Sequence, residues 1–284
     1  MFIEMFWAIG IFSFVPLVIK FCSANPFAMG FFRLSVGTLL VSLYWRKKIN
    51  WKVYKEKDAW KLLLIGATFF CHWITYTFSV KLGTPSMTVL GMATYGIQMI
   101  FYGAYFLGYH VRAKNIFCLL LILVGVFFVL PSWDLNDKGT IGFTLALISA
   151  SFYATIPIQL QKAHIFNMET RTFAQFSVAF LGYVFLVPNA NWGELVFIDW
   201  MGLLFLGVLG TFVAHSLWSR VVAHVPTTTS GIVYYIITPT AMFLSWLLLG
   251  ETLSSKQLLG AGIILSGAII NMLKLPEPNK KGPV

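Results

Sequence analysis

The chain reads as an all-α integral membrane protein of ten transmembrane helices, built as two inverted five-helix repeats. Three observations predict this. First, 58% of its 284 residues are hydrophobic and only 11% are charged, where a soluble domain carries about a quarter charged residues. Second, the apolar residues gather into ten stretches, each near the roughly 20 residues that cross a bilayer. Third, a shift of 142 residues lays the second five stretches on the first without gaps. Five is odd, so a second half that repeats the first must lie upside down in the membrane, with a substrate site near the midplane between the halves.

The spans follow in order. The first, Glu4–Phe21, opens on an acid rather than a basic cluster, so it reads as a retained span and not a signal peptide. The second, Phe27–Trp45, contains Arg33, and the polar insert Arg46–Asp58 follows it. The third, Trp60–Val80, carries His72, Trp73 and Tyr76, and the fourth, Ser86–Leu107, carries Tyr95 and Gln98. The fifth is Asn115–Pro131. The sixth, Thr140–Gln161, holds Tyr153, Pro157 and Gln159. The seventh is Thr172–Pro188, whose Gln175 falls on Arg33 in the repeat alignment. The eighth, Asp199–Val222, contains His215 and Trp218, and the ninth, Thr229–Leu249, contains Tyr234, Tyr235, Thr238 and Pro239. The tenth is Lys256–Leu273. The repeats are therefore expected at residues 1–138 and 139–274, with a cytoplasmic tail at 275–284.

The net charge of +10 does not point to nucleic acid, because it is sorted by membrane side. With the N-terminus inside, the inner loops and span ends hold the Arg46–Lys61 cluster, Arg112, Lys114, Lys162, Arg171, Arg220, Lys274, Lys280 and Lys281. The outer side holds only Lys20, Lys81, Lys138 and Lys256. This is the positive-inside bias, and it places both termini in the cytoplasm of a bacterial-type inner membrane. Cys22, Cys71 and Cys118 are isolated and suggest no disulfide framework. No His/Cys/acid spacing suggests a metal and no cofactor motif is present, while the lack of a GxxxxGK[ST] loop argues against ATP hydrolysis.

The last two spans carry Pro239, then Leu249-Gly250-Glu251-Thr252-Leu253, then Gly260, Gly262 and Gly267. His215-Ser216-Leu217-Trp218-Ser219-Arg220 precedes them, with Val225-Pro226 after it; Trp7 and Ile19-Lys20 stand in the first span. This pattern resembles the EamA-type fold of the drug/metabolite transporter superfamily over essentially the whole chain. The resemblance implies a ten-helix transporter of small metabolites, often an exporter of amino acids or related compounds. It also implies that spans three, four, six, eight and nine border a central cavity. The first half departs from the pattern, with Ile97 in place of the proline and Tyr109 in place of the glutamate.

Individual residues have competing readings. Glu251 sits at an outer turn before Thr252 and Ser254, and reads first as a turn-fixing acid. Gly260, Gly262, Ser266 and Gly267 allow close helix approach, which serves either packing within one subunit or a homodimer face. Pro16 and Pro157 kink spans one and six at matching points, which marks either a binding site or an inherited bend. His72 and His215 are ionisable groups inside spans, set either to line a cavity or to bond between helices. Arg33 is set either to meet a substrate carboxylate or to be held by a carbonyl or snorkel, and reads first as structural because it lies about two turns from the outer surface.

The candidate substrate-binding set is His72, Trp73, Tyr76, Tyr95, Gln98, Tyr153, Gln159, His215, Trp218, Tyr234, Tyr235 and Thr238. Tyr and Trp have an apolar body and a hydrogen-bonding tip, which suits a cavity for small amphipathic solutes. No catalytic set stands out. The expected partners are a small-molecule substrate, the lipid bilayer and, by the small-residue stripe, a second copy. The favoured function is secondary, non-ATP transport of a small metabolite by alternating access, export before import. A facilitator or exchanger, a membrane enzyme and a non-transporting subunit are the rivals.

Overall fold

The computed structural model describes residues 2–108, 110–132, 134, 136–218 and 234–273. Tyr109, Trp133, Arg220, Val225-Pro226 and the basic tail fall outside the described residues. Within them the chain forms eleven α-helices and no strand. These are α1 (Phe2–Phe21), α2 (Pro26–Trp45), α3 (Trp60–Leu82), α4 (Pro85–Met92), α5 (Tyr95–Leu107) and α6 (Ala113–Val129). There follow α7 (Lys138–Lys162), α8 (Met168–Val184), α9 (Phe197–Leu204), α10 (Ile237–Leu249) and α11 (Ser255–Met272). Five helical stretches are long and apolar enough to cross a membrane: Ile3–Phe21, Pro26–Trp45, Lys57–Leu82, Lys138–Lys162 and Phe197–Trp218. The molecule is a multi-pass membrane protein. Large apolar side chains such as Leu43, Leu63, Phe117, Leu181 and Trp246 are exposed on its exterior, as hydrocarbon permits and water does not.

Local chemistry sets the helix ends. Asn25 caps α2 by accepting a hydrogen bond from the Ala28 N–H at 3.0 Å, and Pro26 supplies a pre-set φ at the first position. Asn167 caps α8 in the same way, accepting from the Thr170 N–H at 3.0 Å. Each cap also reaches across the molecule: Asn25 Nδ2 donates to the Asn189 carbonyl and Asn167 Nδ2 to the Lys48 carbonyl, both at 2.7 Å. α5 and α10 both end in a left-handed glycine, Gly108 at φ 70° and Gly250 at φ 64°, a conformation that costs a side-chain-bearing residue energy.

Two of the expected spans break at a turn, the fourth and the ninth, the latter at Tyr235–Ile236, and the eighth changes helix type. The fourth breaks between α4 and α5 at Ala93–Thr94, where the Thr94 hydroxyl donates to the Gly91 carbonyl at 2.7 Å and so competes with the helical ladder. The eighth continues from α9 as a π-helix over Phe205–Val213. Its wide turn is marked by the Thr211 hydroxyl donating to the Leu206 carbonyl, five residues back, at 2.8 Å. π segments are rare and gather at functional sites.

Small residues let α6 and α11 pack closely. A Cβ at Gly260 would lie 2.7 Å from the Gly125 carbonyl oxygen, and one at Gly267 would lie 2.9 Å from Ile122. Asn115 Nδ2 donates to Asn271 Oδ1 at 2.9 Å inside the same contact. Gly260 and Gly267 thus serve packing within the subunit, while Gly262 has open space around it.

Candidate substrate cavity

α1, α3, α4, α5, α7, the π-containing helix and α10 enclose a central cavity of about 60 Å³. Nine of the twelve residues expected from the sequence line it: His72, Trp73, Tyr76, Tyr95, Tyr153, His215, Tyr234, Tyr235 and Thr238. Trp218 stands behind the wall, its ring 5.2 Å from that of Tyr234. Gln98 and Gln159 are not in the wall. Gln98 Nε2 donates to Thr94 Oγ1 at 2.8 Å, one turn back on its own helix. Gln159 Nε2 donates to Thr68 at 2.9 Å and to Thr155 at 3.1 Å. Gln159 instead lines a separate crevice of about 600 Å³ with Trp60, Lys61, Leu64, Leu107 and Lys162, at the end of the molecule opposite the α1–α2 turn.

The lining is an interlocked aromatic shell. Tyr95 lies edge-on to Tyr153 and to Tyr234, each at 5.5 Å between ring centres, and Tyr153 and Tyr234 stack nearly parallel at 6.4 Å. Edge-to-face contacts satisfy the ring quadrupoles and hold the shell in shape. His72 is anchored across α3 and α7: its Nδ1 lies 2.9 Å from Ser149 Oγ, and that hydroxyl in turn lies 2.9 Å from the His72 carbonyl oxygen. His72 is therefore both a cavity residue and a helix-to-helix bond, so its two sequence readings are compatible.

The prolines act on this cavity through the residues four positions before them. Proline removes the donor that would bond the carbonyl at i−4. That residue is Phe12 for Pro16 and Tyr153 for Pro157, and both side chains line the cavity.

Two residues outside the expected set bear on the site. Arg33 is fully buried, and its guanidinium carbon stacks 3.5 Å from the centre of the Trp73 ring. Phe12 packs edge-on against His215 at 5.1 Å. An intramembrane charge is the signal that marks Arg33 in the sequence.

The α1–α2 end is closed over the cavity by polar contacts. Glu251 accepts hydrogen bonds from the Ser86 N–H at 3.2 Å and the Ser86 hydroxyl at 2.9 Å, and also from the Ser245 hydroxyl. It therefore ties the turn after α10 to the start of α4 rather than fixing its own turn alone. Lys20 Nζ donates to the Gly83 carbonyl at 2.6 Å, and Lys81 Nζ to the Cys22 carbonyl. Asp199 accepts from the Ser23 N–H at 2.6 Å.

A solved crystal structure superposes on this chain with a TM-score of 0.68 at 16% identity, spanning 95% of this chain and 96% of its own, which shows a shared fold. An uncharacterized transporter of Bacillus subtilis (strain 168), YetK, is 23% identical over 264 residues, covering 87% of this chain and 78% of the relative. The sequence profile of the EamA-like transporter family matches residues 2–130 and again residues 140–273. With the match spanning nearly the whole chain and its residues walling a cavity among membrane helices, the chain belongs to the EamA-like transporter family of the drug/metabolite transporter superfamily.

Proposed function

We propose that this membrane transporter carries a small organic metabolite, an amino acid or related compound, outward by alternating access and without ATP. The observation that carries the reading is the aromatic cavity set between two interrupted helices. The break at Ala93–Thr94 and the turn at Tyr235–Ile236 lie 142 residues apart, and Tyr95 and Tyr235 flank them in the cavity wall. Paired interruptions in corresponding positions of two halves are a pointer to a transporter binding site.

The same spacing supports ten spans in two inverted halves, at residues 1–138 and 139–274. Asn25 and Asn167, and Gly108 and Gly250, stand 142 residues apart and do the same job in each half. The cross-molecule bonds of the two asparagines are mutual: each half caps its own helix and grips the helix end of the other. Both termini are then cytoplasmic and the α1–α2 end faces out, in accord with the basic bias. The halves would rock about the cavity, and substrate would shift the balance between inward-open and outward-open states.

A second reading within transport is exchange or facilitated movement down substrate gradients. It is favoured by a described lining that contains two imidazoles and no carboxylate, since a proton-driven pump usually uses a buried titrating acid.

The test is untargeted metabolite profiling of medium against cytosol, in cells overexpressing the intact protein or its Tyr95→Ala or Trp218→Ala variant. We expect at least one compound enriched outside only with the intact protein. Equal profiles in both compartments, with the protein present in the membrane, would refute export.

A further inference from the structure

Arg33 is a fully buried charge with no acid bonded to it among the described residues. Arg33 is 1% exposed and lies about 10 Å along α2 from its start. Its Nε donates to Thr211 Oγ1 at 2.9 Å and its Nη2 to the Gly210 carbonyl at 3.4 Å. Both partners belong to the π turn, whose extra width presents them toward α2. Both are neutral, and among the described residues no carboxylate pairs with Arg33.

Three nitrogens on neighbouring side chains are left over. Arg33 Nη1, Trp73 Nε1 and His215 Nε2 are all buried without a hydrogen-bond partner among the described residues. Arg33 stacks on Trp73 at 3.5 Å, and the Trp73 and His215 rings stand 6.4 Å apart. Trp73 and His215 both line the cavity, and Arg33 reaches it through Trp73, on whose ring it stacks, rather than as a residue of the wall. A buried charge taken from water is costly unless it is paired, and a buried donor without an acceptor adds to that cost. A guanidinium by itself presents N–H groups in the planar fork that a carboxylate accepts, and an indole adds one further N–H donor. A cationic solute would be repelled by the same charge.

We infer that the cavity takes a small organic acid, whose carboxylate docks on Arg33 Nη1 and Trp73 Nε1 beside His215. The apolar body of that acid packs against Tyr95, Tyr153 and Tyr234. This rests on the transporter reading and names its substrate class. It also gives Arg33 a role beyond holding helices: the uncompensated charge is the recognition element, and substrate supplies the counter-ion.

The experiment follows thermal unfolding of the full-length protein in detergent with matched probes. These are benzoate, phenylacetate and isovalerate against benzamide, phenylacetamide and isovaleramide, with phenylalanine, leucine and inorganic phosphate alongside. At least one carboxylate is expected to raise Tm, with its neutral partner at least tenfold weaker. Arg33→Gln should abolish the acid-over-amide preference and Arg33→Lys should retain part of it. Trp73→Phe, which keeps the ring but removes the N–H, should weaken the acid severalfold and leave the amide unchanged. If Arg33→Gln does not fold, Trp73→Phe decides alone. Acid and amide binding within twofold of each other, an undiminished preference in the folded variants, or a response to phosphate and no carboxylate would overturn the inference. A purely structural Arg33 would move the ligand-free Tm and not the preference. Amide binding with the preference absent leaves the transporter reading standing, because the export profile tests that separately.

Discussion

Asn25 and Asn167 show how single side chains carry both local and global structure. Each caps its own helix with Oδ1 and grips the opposite half with Nδ2. An N-cap replaced by alanine costs about 1 kcal/mol, and each lost cross-bond adds about as much. Asn25→Ala and Asn167→Ala should therefore each lower stability by about 2 kcal/mol, read as a fall in detergent Tm, and by similar amounts. A large inequality between them would argue against equivalent roles in the two halves. The two asparagines stand 142 residues apart in the sequence, but neither their capping nor their cross-molecule bonds were read from it. No local pattern says which distant carbonyl an amide will meet.

Among the elements, α6 and α11 show which small residues matter. Gly260, Gly262 and Gly267 look alike in sequence, yet only Gly260 and Gly267 meet α6. Gly260→Leu would drive side-chain atoms into the Gly125 carbonyl and Phe128, an overpacking that costs about 1–3 kcal/mol. Gly262→Leu, on the open side, should leave Tm nearly unchanged; equal destabilisation of the two variants would put Gly262 in an interface with another copy. The π-helix at Phe205–Val213 is the element that sequence reading passed over. Its residues include Gly207, Gly210 and Thr211, poor helix formers, but no local pattern separates a π turn from an α turn; within it Thr211 serves Leu206 and Arg33 at once.

At the scale of the whole molecule, polar contacts close one end while a crevice opens at the other. Glu251 gathers three donors from α4 and α10, and hydrogen bonds to a charged group are worth about 1.5–3 kcal/mol each. Glu251→Ala should loosen the α1–α2 end and shift the population toward opening there, where about 1.4 kcal/mol is a tenfold change. A cysteine at Val89, with Cys22, Cys71 and Cys118 replaced, would report it. Its labelling by a membrane-impermeant maleimide from that side should quicken at least tenfold in Glu251→Ala. An unchanged rate would mean that Glu251 braces the turn without gating the cavity.

The sequence by itself pointed to the helical membrane class, the family and nine residues of the cavity wall. The class follows from composition and the apolar stretches, the wall from the chemistry of Tyr, Trp and His inside them, and the family from the resemblance carried by Pro239, the Leu249–Leu253 turn and the glycines after it. Only the tertiary structure decided that Gln98 and Gln159 turn away from the cavity. It also decided that Glu251 binds a different helix, and that Arg33 faces Trp73 with a free N–H. Rotation about a helix axis and contact across more than a hundred residues depend on how all the helices pack together. A span's own residues constrain that packing only weakly, because nearly every face of it is apolar.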